Sequence, residues 1–356
     1  MAELIRKTIR AHGPQSFAWF MQQALYHPDD GYYSSGRCVI GRKGDYFTNV
    51  SVGPLFGQLL AAQFVEVWDR LGKIDKFTIV EQGAHNGQFA CDVLESVESR
   101  LPEFFEALRY RIVEPFPILR KRQQWLLEPF GAKVEWCESL EPFTGVHFSN
   151  ELLDSMPVRL VKNGHEKFVG LDGDKFVFVE RLAGKTALNQ AALDWIDGIA
   201  ANLQRGYVIA IDYGWVGDEF PRDVQVRAHH RTLNSPFEQI GEADITMPVD
   251  WSDIMNRAER NGLCVAGFAD QHHFLTGIIS QWPDLLAPRQ SDSTSPAAQV
   301  SANAAEGKPK RALQTLLHPE MLGRAFQVLA LSKNMDIEGL RLAGFKFARK
   351  PHSAES

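Results

Sequence analysis

The chain has 356 residues, long for one domain and short for three, and its 44% apolar and 23% charged content allows a core of ordinary size. A formal net charge of −6 without a long basic run argues against nucleic acid as the main partner, since such binders usually carry a basic face. Four cysteines, at 38, 91, 137 and 264, form no Cys-x-x-Cys pair, so neither structural zinc nor a disulfide framework is expected.

The start, MAELIRKTIRAHG, lacks the apolar run of a signal peptide. No stretch approaches about 20 apolar residues, so no membrane span is expected. A bacterial-type cytoplasmic protein is the expectation. Residues 3–11 and 15–25 have helical periodicity around the break GPQSF, and Ser16 suits the N-cap of the second helix. YHPDDGYYSSGRCVIGRKGDYFTN follows, rich in Gly, Asp, Ser and aromatics, and reads as a long loop. A helix then starts near Gly53, with Leu55, Phe56, Leu59, Leu60 and Phe64 on one side.

From residue 77 strands and helices alternate. FTIVEQG leads into GQFACDVLESV. LRYRIVEP leads into FPILRKRQQWLLEPFG, expected to close at Gly131. KVEWCESL and GVHFSNELL read as two more strands. Such alternation implies parallel pairing, with helices on both faces of the sheet. HEKFVGLDGDKFVFVERL interrupts it with two β-type runs joined by DGD, a hairpin. A helix over about 186–204, the strand GYVIAIDYG, a helix ending near Gly262 with a strand after it, and a late strand in LGRAFQVLALSK complete the pattern. Residues 286–310, rich in Ser, Ala and Pro, are expected to be a disordered linker or loop.

The turn VEQGAHNGQ after the first of these strands discriminates between cofactors. A dinucleotide fingerprint, G-x-G-x-x-G, started at Gly83 fails at His85 and at Gln88, and no Gly-Lys-Ser/Thr follows. The fingerprint of S-adenosylmethionine-dependent methyltransferases, [ED]-x-G-x-G-x-G, is met by Glu81, Gly83 and Gly87, with His85 in place of a glycine. That ligand carries no phosphate. Glu81 at the strand end suits its cationic methionyl amine, and Glu114 at the end of the second strand suits its two ribose hydroxyls.

Several separated stretches extend the match. HPDDGYYS and GDYFTNVSVGPLFGQLLAAQ precede the cofactor turn; IVEPFPILRKRQ, SNELLDSMPVRLV, IDYG, GEADITMPVDW, DQHHFL and MLGRAFQVLAL follow it in order. On these stretches the chain resembles the MidA-like family of S-adenosylmethionine-dependent methyltransferases. That family includes the mitochondrial complex I assembly factor that methylates an arginine of a partner subunit. The resemblance implies a seven-stranded, Rossmann-like class I methyltransferase sheet with helices on both faces, an N-terminal helical and loop covering region, and a β-hairpin insertion. It divides the chain into a cover (1–72), a core (73–285) with the hairpin near 165–182, the linker (286–310) and a C-terminal part that completes the sheet (311–350). The turn departs from the family pattern, with Ala84, His85 and Asn86 where Pro, Gly and Arg are expected. His85 therefore leaves open a second reading, a degenerate fold that works by binding a partner.

The activity implied is methyl transfer from S-adenosyl-L-methionine, with an arginine of a protein partner as acceptor. A guanidinium acceptor needs carboxylates to hold and orient it. Glu151 is expected as the main substrate-side carboxylate, with Asn150 fixing a polar group and Asp154 secondary. If SNELLDSMP is helical, Glu151 and Asp154 share a face. The resemblance also places Gly44 and Asp45, with Thr48, in a loop that closes over the cofactor. Tyr213 at a strand end, Asp244 and His230 are expected on the substrate side, with Thr246 and His272 as further lining. The His pairs 229–230 and 272–273 sit on neighbouring residues, a poor chelating arrangement, and no metal is expected.

Overall fold

β1 (Phe77–Gln82) alternates its side chains between two cores: Ile79 joins one and Val80 the other. The computed structural model describes residues 1–38, 48–184, 188–217, 223–286, 310–336 and 341–348. Around β1 the central sheet is completed by β2 (Leu108–Val113), β3 (Val134–Cys137), β4 (Phe143–Asn150), β5 (Leu203–Trp215), β6 (Cys264–Asp270) and β7 (Phe326–Lys333). Their order is β3-β2-β1-β4-β5-β7-β6. The first five strands pair in parallel, whereas β7 runs antiparallel between β5 and β6. A two-residue strand, Val249–Asp250, pairs in parallel with the end of β5 and brings the sheet to eight strands among the described residues.

Helices cover both faces. On one side lie α3 (Leu55–Arg70), α4 (Gln88–Arg100) and α9 (Gln271–Gln281), which follow α1 (Ala2–His12) and α2 (Phe17–Tyr26) in the chain. The short α5 (Pro102–Ala107) and then α6 (Pro117–Leu126) come between β1 and β3 in sequence. On the other face lie α7 (Gln190–Asn202) and α8 (Trp251–Arg260). All the parallel crossovers leave from the carboxyl ends of the strands, so these ends collect the turns where open α/β sheets bind ligands.

A third apolar cluster joins α2 to the hairpin and to a small sheet. Phe17, Phe20 and Met21 of α2 pack with Val169 of the hairpin His165–Asp172/Lys175–Leu182, and with Val226 and Ile245 of a small three-stranded sheet. The backbone N–H of Trp19 donates to Ser16 Oγ at 3.2 Å, the N-cap expected for α2. Ser16 also pairs, with Gln15, against Phe168 and Val169, so the residue before α2 is tied to the hairpin as well.

One local expectation changes. Gly131 does not close α6, which ends at Leu126. It lies instead in a 3-10 turn over Glu128–Lys133 with φ 50° and ψ −125°. The linker expected over 286–310 falls almost wholly outside the described residues, as do Gly44 and Asp45. Among the described residues no helix is long and apolar enough to cross a membrane.

Candidate active site

A cavity of about 680 Å³ opens at the carboxyl ends of β1, β2 and β4. Glu81 and Glu114, the strand-end carboxylates of β1 and β2, both line it and both are buried. Tyr110 Oη donates to Glu81 Oε2 at 2.7 Å. Burial pushes the Glu81 carboxyl up to about 8, against the Tyr110 hydrogen bond. No cation among the described residues pairs with Glu81, so a cationic ligand group would relieve the cost of burying its charge. Glu114 accepts from the backbone N–H of Phe116 at 3.0 Å and from Gln123 Nε2 at 2.9 Å, and burial raises its carboxyl too.

The turn between β1 and α4 is left-handed at three residues: Gly83 (φ 83°), His85 (φ 47°) and Gly87 (φ 86°). A Cβ at Gly83 would stand 3.3 Å from Leu152 Cδ1, so side-chain bulk here would crowd the floor of the cavity. His85 adopts a backbone conformation that glycine usually supplies, and His is among the non-glycine residues enriched there. Its Nε2 lies 3.3 Å from the carbonyl of Cys38, and its own carbonyl accepts from Gln123 Nε2 at 2.9 Å. Burial lowers the His85 pKa, which favours a neutral ring at the cavity wall.

A second cavity of about 380 Å³ lies beside the first. Asp154, Tyr213, Asp244 and Thr246 line it, and Glu151 and Tyr33 line both cavities. Glu151 Oε1 accepts from the backbone N–H of Asn49 at 3.0 Å and from Asn150 Nδ2 at 2.8 Å, and burial pushes its carboxyl up to about 8. Asp154 is raised well above the usual carboxylate range, first by burial and then by the charges of Asp212, Asp244 and Glu151. Tyr33 Oη donates to Asp244 at 2.6 Å. Among the described residues no three of these groups are arranged to hold a metal ion.

The segment after β4 is not helical, so Glu151 and Asp154 are not brought together by helical spacing. Asp212 supplies the order instead. Its Oδ2 accepts from the backbone N–H groups of Leu152, Leu153 and Asp154 at 3.1, 2.8 and 3.2 Å, while Oδ1 accepts from that of Tyr213 at 2.8 Å. Glu151 itself sits at φ 52°, the left-handed kink by which the chain leaves β4. Asn150 is accordingly no helix cap: its Oδ1 accepts from Asn49 Nδ2 at 2.9 Å.

Most of the residues singled out from the sequence therefore converge, and one does not. Glu81, Gly83, His85, Glu114, Asn150 and Glu151 border the larger cavity; Asp154, Tyr213 and Asp244 border the smaller. Gly87 stands behind the turn as the residue before α4. His230 is a correction: it is exposed at φ 57° in the turn between Gln225–Ala228 and Arg231–Thr232, and it borders neither cavity. His272 is directed elsewhere, with Nδ1 2.7 Å from the carbonyl of Leu317. Sequence reasoning missed Gln123, Tyr110, Asn49 and Tyr33. Tyr33 and Asn49 lie inside stretches already quoted, GYYS and FTNV. Gln123 and Tyr110 lie inside quoted stretches as well, IVEPFPILRKRQ and LRYRIVEP, but nothing in the local pattern marked either as buried beside the carboxylates.

A mostly parallel sheet with a glycine turn into a helix, and a buried carboxylate at each of two adjacent strand ends, is the arrangement of a methyltransferase that uses S-adenosyl-L-methionine. The chain belongs to the family described as "Putative S-adenosyl-L-methionine-dependent methyltransferase", which matches residues 59–269. A COG1565 superfamily member from Burkholderia thailandensis bound to S-adenosyl-homocysteine is similar, with 29% identity, 98% of this chain and 95% of that chain covered, and a TM-score of 0.86. Among curated proteins, the protein arginine methyltransferase NDUFAF7, mitochondrial, of Danio rerio is 26% identical, covering 91% of this chain and 84% of its own. The Drosophila melanogaster homolog is 26% identical over 74% of this chain and 70% of its own. The cofactor is S-adenosyl-L-methionine, and the residues present fit it: the buried Glu81 has no cationic partner among the described residues, and Gly83 leaves the turn bare where a Cβ would press on Leu152.

Proposed function

We propose that the chain transfers a methyl group to an arginine side chain of a protein partner. The observation that carries this reading is Glu151, which lines both cavities and so stands where a cofactor on one side meets an acceptor on the other. The names of the curated relatives support an arginine acceptor.

In this reading Glu81 holds the methionyl amine, Glu114 accepts from the ribose hydroxyls, and Gly83, His85 and Gly87 form the cradle. S-adenosyl-L-methionine supplies an electrophilic methyl on a sulfonium, whose loss leaves a neutral thioether. Glu151 and Asp154 hold the acceptor guanidinium, with Asp244 and Tyr213 beside them. A planar guanidinium suits paired carboxylates, and fixing nucleophile and methyl in line supplies much of the rate. Asn150 and Asn49 hold Glu151 Oε1, so Oε2 is the oxygen left to take the guanidinium N–H and to accept the proton lost as the product forms. Gly44 and Asp45 belong to the cover that would close over this pair of cavities.

The β3-β2-β1-β4-β5-β7-β6 path is read as the class I methyltransferase sheet, with residues 1–72 and the hairpin near 165–182 as cover and insertion, and 311–350 completing it. Cytoplasmic placement belongs to the same proposal; the mitochondrial names of the relatives point the other way, and fractionation of native cells decides it. Transfer itself is tested by incubating the chain with methyl-labelled S-adenosyl-L-methionine and proteins extracted from its own source. Label on methylarginine after acid hydrolysis supports the reading. Label confined to another residue type overturns the acceptor, and no label on any protein overturns the protein substrate.

A further inference from the structure

The smaller cavity has an acidic interior and a basic rim. Asp154, Asp244 and Glu151 form the interior, while Arg227 and Arg324, both exposed, border the opening with Gln225 and Gln327. Arg227 faces Asp244 in register across the antiparallel pair of Gln225–Ala228 and Asp244–Thr246. Even so it forms no ion pair among the described residues, and its Nη2 donates to Gln225 Oε1 at 2.7 Å. The guanidinium of Arg324, at the entry to β7, makes no hydrogen bond or ion pair among the described residues. Two rim guanidiniums with no carboxylate partner among the described residues are an obstacle to a bare cation, which they repel on its way in. They become an asset when the same ligand brings a carboxylate, because guanidinium and carboxylate pair bidentately.

We propose that Arg227 and Arg324 read a carboxylate carried beside the methylated arginine, so that the preferred acceptor is an arginine in an acidic setting. That carboxylate is either the arginine's own α-carboxylate or the side chain of an adjacent acidic residue. The inference rests on the smaller cavity being the guanidinium site. Rim charges of this kind select partners by complementarity more than they add affinity, and they do so in a salt-dependent way.

The test is calorimetric titration of the full chain, saturated with S-adenosylhomocysteine, with three probes: Nα-acetyl-arginine, Nα-acetyl-arginyl-aspartyl amide and the neutral Nα-acetyl-arginyl-asparaginyl amide. At least one acidic probe is expected to bind about tenfold tighter than the neutral one, with the advantage shrinking as salt is raised. Preference for acetyl-arginine assigns the α-carboxylate as the group read; preference for the aspartyl probe assigns the neighbouring side chain. The double variant Arg227→Gln, Arg324→Gln is expected to lose the preference while keeping its affinity for the neutral probe and its melting temperature. Equal binding of acidic and neutral probes, or a preference that survives in the double variant, overturns the rim proposal and leaves the guanidinium site standing. No binding of any probe to the natural chain overturns the guanidinium site, and the rim proposal with it.

Discussion

The backbone N–H of Asn49 donates to Glu151 Oε1 at 3.0 Å across 102 positions of sequence. This bond ties the segment just before α3 to the exit of β4, and Asn150 Nδ2 meets the same oxygen at 2.8 Å. One carboxylate oxygen is thereby fixed by the protein, while the other accepts no hydrogen bond among the described residues.

Glu151→Gln tests that division of labour. Glutamine keeps the shape, and its carbonyl oxygen can still accept from Asn49. It cannot pair with a guanidinium as a carboxylate does, nor take a proton. Cofactor binding should stay within about twofold of the natural chain, because Glu81 and Glu114 are untouched. Turnover should fall about 10²–10⁴-fold, the usual worth of a positioned acid–base group. Calorimetry with S-adenosylhomocysteine and a methylation assay read the two quantities separately. Unchanged turnover removes Glu151 from the chemistry.

The rate should depend on pH with a definite sign. Burial raises the Glu151 carboxyl to about 8, so at neutral pH most of it is protonated in the free protein. The ionised form is the one that holds a guanidinium. The value of kcat/KM should therefore rise from pH 6.5 to 9 with a midpoint near 8, and should flatten in Glu151→Gln. Stability runs the other way. With its folded-state value of about 8 raised above that of the unfolded chain, Glu151 contributes stability that is full below about pH 4 and is lost as pH climbs toward 8, and Asp154, raised as well, acts with the same sign. Thermal melts of the ligand-free chain at pH 5.5 and 8 should differ accordingly, and Asp154→Asn should narrow the gap.

Gln123 joins the His85 turn to Glu114 at the wall of the larger cavity. Its Nε2 donates to the carbonyl of His85 and to Glu114 Oε2, each at 2.9 Å, and its Oε1 accepts from Trp136 Nε1 at 3.0 Å. The side chain is fully buried, so Gln123→Leu strands three polar partners, each costing about 1–3 kcal/mol where water cannot reach. We expect a lower melting temperature and a KM for S-adenosyl-L-methionine raised at least about tenfold, with kcat changed far less. A fall in kcat alone would mean that Gln123 does not position Glu114.

The extent to which this site could be read in advance follows from its physics. The turn at Glu81, Gly83 and Gly87 was legible because a strand-to-helix turn with left-handed glycines leaves a local pattern, and Glu114 because it ends the next buried strand. The parallel order was legible from the alternation of apolar runs with helical ones. The kink at Glu151 was not. Helical spacing suggested that Glu151 and Asp154 share a face, whereas the segment is shaped by Asp212, a residue about 60 positions away, through bonds to three successive N–H groups. His230 was misplaced because position along the chain does not fix a side chain's surroundings: it lies in an exposed turn that borders neither cavity. Pairings between distant segments, such as Asn49 with Glu151, leave no local periodicity to find.

His85 gives the sharpest separation between a working turn and a disabled one. Its backbone is left-handed at φ 47°, which costs a non-glycine residue about 1–2 kcal/mol, and its ring faces the Cys38 carbonyl at the cavity wall. His85→Gly should bind S-adenosylhomocysteine within about threefold of the natural chain, because the backbone already holds the conformation that glycine prefers. His85→Ala loses the ring and keeps the backbone cost, so its melting temperature should fall below that of His85→Gly by the equivalent of about 1 kcal/mol. Calorimetry and thermal melts on the three proteins decide the matter. If only His85→Gly binds the ligand, the histidine blocks the turn, and the natural chain works without its cofactor.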